Sequence, residues 1–432
     1  MKPHLKIKLR PRVATAPAPP WQDFLDDPKL ATSQLHPSID ALFAAYDLPV
    51  WVTHEYKPAS KIWDRTEVTS GLNRVFRVIL QQNRSIPNRL LQELAELPIV
   101  EEVQPIEIAQ ADLPHLMPRQ MSVTTDERSR RAIYLNEAHR YTQGDPSITV
   151  AVLDTGVTLS HPELQDVLLP GYDFVNIIDG ADQFVGDYLG YDDVPDDEVG
   201  HGTHVAGIIA AKGINMPVGV VPKCKILPVR VLGAMERGGK RVGAGLVDNI
   251  NDGIKWAIDQ GADVINMSLG IKHTGGGLPH EEVVNYAKEK GVTVVAASGN
   301  DGQEQLYYPG ALAHVITVGA VDEAGKVAHF STYGKQVDLV APGTNIYSTY
   351  LENDYAFSTG TSHASPFVAG AVALLKAFSL ILEKPLLDNQ VKYVLKHSSD
   401  KVSLEFKHRR AGFGKLNLSD ALHLLEHRIK RL

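Results

Sequence analysis

The chain has 432 residues, of which 44% are hydrophobic and 22% charged, and its 43 basic and 51 acidic side chains leave a formal charge of −8. This is globular composition, which excludes a fibrous or wholly disordered chain, and the acidic balance excludes a broad electrostatic grip on nucleic acid. One cysteine, Cys224, excludes an internal disulfide and a cysteine-based zinc site. No uninterrupted apolar run reaches the ~18 residues of a membrane-spanning helix. The longest candidate, Val368 to Leu382, carries Lys376.

In chain order, Leu5, Ile7 and Leu9 alternate with Lys6, Lys8 and Arg10, which predicts a short half-exposed strand. No apolar stretch follows the basic start MKPHLKIKLRPR, so no secretory signal is visible. That predicts a cytoplasmic protein, or one exported by another route. Ala14 to Pro20 reads as a linker. Val75 to Leu80 reads as a strand. A helix follows, capped by Ser85, with Ile86, Leu90, Leu91, Leu94 and Leu97 on one face. Val100 to Ile108 is a second strand. Together these make a small α+β unit at residues 70–112, while residues 1–69 form an extension without an assigned role. Residues 113–132 lack periodicity and end in Arg128, Arg130 and Arg131, so they read as an exposed linker where proteolysis concentrates.

The texture changes over residues 133–432. Apolar strands at Ile148–Leu153, Ile226–Leu232, Val264–Leu269, Val292–Ala297 and Val315–Val318 alternate with helical stretches at His201–Ala211, Leu246–Gln260 and Glu281–Lys290. A further helix starts near Ser362. Apolar strands separated by helices predict an α/β unit whose parallel sheet is covered on both faces.

Three segments put a reactive group at the edge of such an element. Asp154 ends the strand of ITVAVLDTG, at the carboxyl edge where open α/β sheets place their sites. His201 opens the helix of GHGTHVAG, with His204 one turn on. The zinc-protease pattern would need a glutamate beside the first histidine and a four-residue offset, and has neither here. Ser362, in STGTSHASP, stands at a helix N-terminus, where unpaired backbone N–H groups can receive an oxyanion. Singly, these residues read as a turn acid, a packed histidine and a helix cap. As a set they supply what a serine nucleophile requires: an imidazole to take its proton and a carboxylate to orient the imidazole.

With LDTG, HGTHVAG, INMSLG, ASGN and GTSHASP in that order, the chain resembles the subtilisin-like serine peptidases, the S8 family, over about residues 133 to 425. The resemblance implies a three-layer α/β fold with a mostly parallel central sheet, preceded by a small α+β pro-region. It implies a serine endopeptidase acting through an acyl-enzyme. Asp154 would be the orienting acid, His201 the base, Ser362 the nucleophile, and Asn300 a side-chain oxyanion donor, with His204 structural. Ser268, Leu269 and Gly270 would bind extended peptide by strand addition, with Gly238 and Gly239 in the opposing edge and Asp301 beside the pocket for the residue before the cut bond. The expected partners are peptide or protein substrates and the chain's own pro-region, which plugs the cleft as an intramolecular inhibitor until cleavage between residues 109 and 132. No cofactor is required for the chemistry.

The sequence departs from the family in two places. His363 follows the nucleophile where methionine is usual, and the stretch AAKGINMPVGVV offers only Asn215 to the family's calcium loop. Structural calcium stays open at DYLGYDDVPDDE, Asp187 to Glu198, against the reading of a solvated acidic loop near the cleft. Transfer of the acyl group to an amine, which would make a peptide ligase or cyclase, is a second reading. A catalytically dead peptide-binding module is a third.

Overall fold

The computed structural model describes residues 3–111, 127–177, 183–272 and 278–429. The chain first builds a unit from β1 (His4–Leu9), α1 (Pro37–Ala45), β2 (Val50–His54), β3 (Val75–Leu80), α2 (Asn88–Glu96) and β4 (Val100–Pro105). Its sheet has the order β2-β3-β1-β4 and is antiparallel throughout. Leu5, Ile7 and Leu9 point to one face of β1, against Phe43 of α1 and Leu90 and Leu94 of α2. The other face was expected to meet water. Instead all of β1 is buried, because a second unit covers His4, Lys6 and Lys8. The sheet also runs across the boundary expected at residue 69, since β1 and β2 share it with β3 and β4. A last strand, β5 (Ile108–Ala111), leaves this sheet and joins the second unit. Most of the expected linker, residues 112–126, lies outside the described residues. Its end, Arg128–Arg131, is a helical turn with Arg130 buried.

The second unit takes in β6 (Thr149–Asp154), β7 (Tyr172–Asp173), β8 (Phe184–Val185), α3 (His201–Ala210), β9 (Lys225–Arg230), β10 (Gly233–Arg237), β11 (Lys240–Leu246), α4 (Val247–Asp259), β12 (Val264–Met267), β13 (Ile271–Lys272), α5 (Glu281–Lys290), β14 (Thr293–Ala297), β15 (Tyr307–Tyr308), β16 (Val315–Val321), β17 (Leu339–Pro342) and α6 (Thr361–Ile381). Seven of these strands form one sheet, ordered β17-β16-β14-β12-β6-β9-β7, with every pair parallel. Alternate residues of β6 serve opposite faces. Val150 and Val152 pack with Val205 and Ile208 of α3 and Phe367 and Val368 of α6. Ala151 and Leu153 pack with Ile250 and Ile254 of α4 and Val283 and Tyr286 of α5. The result is a three-layer α/β fold. The apolar helix α6 is long enough to span a membrane, and here it is the buried core helix.

The first unit lies across α4 and α5, where Tyr56, Leu72 and Val75 pack with apolar residues of both helices beside a set of buried charge pairs. Lys6 Nζ is 2.9 Å from Glu282 Oε1, which also accepts a 2.8 Å hydrogen bond from Tyr56. His4 Nε2 is 2.9 Å from Asp248, and Lys255 is 2.8 Å from Glu67. Arg77 holds Glu55 through two nitrogens, at 2.8 and 2.9 Å, with Asp252 at 3.7 Å. Removing one partner of a buried pair leaves the other charge unpaired, which costs about 3–5 kcal/mol. Lys6→Met is therefore expected to lose about that much in denaturant unfolding, and adding Glu282→Gln to recover a large part of it. Burial pushes the Glu282 carboxyl up, but the Lys6 charge and hydrogen bond, with the Lys8 charge, together more than reverse this and bring it to about 2. The folded value lies below the unfolded value of about 4.3. The pair's contribution is therefore complete above that pH and is lost as pH falls toward 2, which unfolding curves over an acid series would read.

Candidate active site

Asp154 closes β6 and is fully buried. A buried carboxylate must be hydrogen-bonded. Its Oδ1 lies 2.6 Å from His201 Nδ1 and accepts the Thr155 N–H at 2.8 Å. His201 is the first residue of α3, and Asp197 fixes the start of that helix. The Asp197 carboxylate accepts the N–H groups of Val199, Gly200 and Thr203 and the hydroxyls of Thr155 and Thr203. Burial raises the Asp197 carboxyl, and these bonds oppose the rise. The helix can approach β6 because residue 202 is glycine. A Cβ there would stand 2.1 Å from the Gly156 carbonyl oxygen and 3.0 Å from Asp154 Cβ. The Gly202 N–H instead donates to Thr155 Oγ1 at 2.9 Å.

His204 lies deeper. Its Nε2 is 3.0 Å from the carbonyl oxygens of both Ile346 and Ala356, and burial lowers its pKa to about 3, so it is neutral. His363 is buried behind His201, with ring centroids 5.4 Å apart, and its Nε2 is 2.9 Å from Ser358 Oγ. Burial holds His363 neutral as well.

Ser362 stands in the first turn of α6. Pro366, four residues on, has no N–H for the Ser362 carbonyl. Ser268 fills that gap, donating its hydroxyl to the Ser362 carbonyl at 2.7 Å. The Ser268 side chain is fully buried and lies 2.9 Å from Ser365 Oγ, so it braces the helix start. Asn300 braces it from the other side: its Oδ1 accepts the Thr361 N–H at 2.9 Å and the Thr361 hydroxyl at 3.0 Å. A backbone N–H can only donate, so the Asn300 atom facing it is oxygen. Leu269, Gly270, Gly299, Asn300, Tyr307 and Ser362 line one small pocket.

The structure thus brings together Asp154 with His201, and Ser362 with Asn300, Ser268, Leu269 and Gly270. It does not bring Gly238 and Gly239 to the site. They form the tip of the β10–β11 hairpin, with φ of 59° and 75°, and a Cβ on either would meet nothing within 4 Å. The edge of β11 that pairs with another segment is Gly243–Leu246, antiparallel to Ile108–Ala111. Its signal in the sequence is the small-residue run Gly243, Ala244, Gly245 just before a helix. Asp301 does not offer a free charge to the pocket, because Lys272 Nζ lies 2.6 Å from its Oδ2.

Sequence reasoning also missed Asp197, which is hidden in the acidic stretch. Elsewhere in that stretch, Glu198 pairs with Arg230 at 2.7 Å, Asp192 accepts the Val194 N–H and Asp196 the Leu159 N–H. These carboxylates serve the chain's own donors. Among the described residues, three metal-ligating side chains converge at His423, Glu426 and His427, away from this stretch on the C-terminal helix.

The pattern of the subtilase family matches residues 145–414. The chain belongs to the subtilase family, the subtilisin-like serine peptidases. It is 41% identical over 273 residues to a thermophilic serine proteinase of Bacillus sp. (strain AK1), a match covering 62% of this chain and 61% of that one. It is 42% identical over 238 residues to the major intracellular serine protease of Bacillus subtilis (strain 168), covering 54% and 69%. The solved structure of a prenylagaramide maturation protease is similar at 30% identity, with a TM-score of 0.55, covering 68% of this chain and 98% of that one.

Gly202→Ala is expected to force α3 away from β6. Such overpacking costs about 1–3 kcal/mol. Thermal unfolding should show that loss, and the rate of fluorophosphonate labelling should fall with it.

Proposed function

We propose that the chain is a serine endopeptidase made as a self-inhibited precursor. The observation that carries this is the 2.6 Å contact of Asp154 with His201 at a cleft whose pocket is lined by Ser362 and Asn300. Ser362 Oγ attacks the carbonyl carbon of a peptide bond and passes its proton to His201 Nε2. Asp154 keeps the Nδ1–H tautomer and stabilises the imidazolium. Asn300 Nδ2 and the Ser362 backbone N–H receive the oxyanion. The C–N bond breaks as His201 protonates the leaving amine. Water then attacks the Ser362 ester, gives its proton to His201, and the acid product leaves with the serine restored.

Residues 3–111 form the inhibitory pro-region in this reading. Its tail, Ile108–Ala111, lies on β11 as an extra strand, the geometry in which a substrate backbone is held. We favour action inside the cell, following the likeness to the major intracellular serine protease of Bacillus subtilis.

Expression of the full chain beside Ser362→Ala tests the precursor. The parent should lose about a quarter of its mass by cleavage in the segment after β5, and the variant should stay whole. An uncleaved parent without hydrolytic activity would overturn the reading. Asn300→Ala should lower kcat by about 10²–10³ while KM changes little, since the lost donor acts on the transition state.

A further inference from the structure

The pocket beside Ser362 is nearly full, and one side chain of the chain itself fills it. The Tyr307 ring stands between the two backbone walls that flank the cleft. A Cβ on Gly299 would come within 2.6 Å of ring atom Cδ2, and a Cβ on Gly270 within 3.1 Å of Cδ1, on the opposite edge of the ring. The space left is about 20 Å³. A single water needs about 10–15 Å³ by that measure, so the pocket has room for one small group and none for a second ring.

The ring is held in place from three directions. Its backbone pairs with β13, where Tyr307 lies opposite Lys272. Its hydroxyl donates to Asp301 Oδ2 at 3.0 Å. Lys272 Nζ binds the same carboxylate oxygen at 2.6 Å and lies 5.6 Å from the ring centroid. Asp301 and Lys272 therefore anchor the far end of the tyrosine, and Lys272 neutralises a carboxylate that would otherwise sit beside the pocket.

We propose that Tyr307 sets the specificity of the peptidase: it plugs the pocket for the residue whose carbonyl Ser362 attacks, and confines that residue to glycine, alanine or serine. This rests on the peptidase reading and names its substrate class. A larger side chain must either expel the ring, breaking its bond to Asp301, or bind with its carbonyl out of reach of Asn300. Discrimination by a pocket runs at roughly 10–200-fold for each misfitting methylene. An aromatic or long aliphatic residue should thus be cut at least about 100-fold less efficiently than alanine.

The test uses the full chain after self-processing, with active sites counted by a fluorophosphonate. Peptides that differ only in the residue before the cut bond (Ala, Ser, Leu, Phe and Arg) are compared by kcat/KM. The parent should favour Ala and Ser. Tyr307→Gly should raise kcat/KM for Phe at least tenfold and reverse the order of Ala and Phe. Tyr307→Phe keeps the ring and should keep the parent's order, which guards against a Tyr307→Gly chain that fails to fold. A parent that favours Phe or Leu would overturn the proposal, as would an unchanged Ala-to-Phe ratio in a Tyr307→Gly chain that still labels. If the parent labels at Ser362 yet cuts none of the peptides or its own linker, the peptidase reading falls and takes this proposal with it.

Discussion

The arrangement depends on one buried contact, the hydrogen bond between Asp154 and His201. A carboxylate with no exposure to water must find donors inside the protein, and Asp154 finds them in the His201 ring and the Thr155 N–H. The His201 ring reaches it only if α3 starts directly over the end of β6. That placement needs a glycine at 202 for the approach and a carboxylate at 197 to bind the helix's unpaired N–H groups. Residues that touch no substrate in the proposed reaction therefore decide whether the reacting ones meet.

A second frame holds the proposed nucleophile. Pro366 removes one helical hydrogen bond, and Ser268 replaces it from a neighbouring strand's end. Asn300 takes the Thr361 N–H on the other side. Each brace belongs to a segment that also lines the pocket, so the walls of the cleft and the start of α6 are fixed by the same bonds. A serine locked this way cannot shift without moving the pocket, which is the preorganisation that electrostatic stabilisation of an oxyanion requires.

Much of this was legible in the sequence because it rests on local pattern. The strand of Asp154, the helix openings at His201 and Ser362, and the parallel sheet follow from apolar runs and small residues. Contacts between distant segments were not legible. Lys6 looked solvated, because nothing in β1 reveals that Glu282 waits 276 residues away. Ser268 was expected as a substrate contact, and its bond to a carbonyl freed by a proline in another element was not legible. Gly238 and Gly239 carry the mark of a tight turn, and the edge they were expected to form begins a few residues later. Tyr307 carries no motif at all; its proposed role appears only when Gly270 and Gly299, from the segments after β12 and β14, are seen to close on its ring.

The two ways in which the first unit holds the second have different physics. The strand Ile108–Ala111 binds through backbone hydrogen bonds, which ask little of its side chains and which any extended peptide could replace. The sheet above α4 and α5 binds through apolar packing of Tyr56, Leu72 and Val75 and through paired charges sealed from water, such as Lys6 with Glu282 and Lys255 with Glu67. Sealed ion pairs give position more than net affinity, because each charge regains its hydration when the surfaces part. While the chain is continuous, the tail and the sheet reinforce each other, since one is tethered to the other at high effective concentration. A cut after β5 removes the covalent link between the two units. In the proposed precursor the first unit would then hold on without that link, through its tail strand, the paired charges, and the packing of Tyr56, Leu72 and Val75 against α4 and α5.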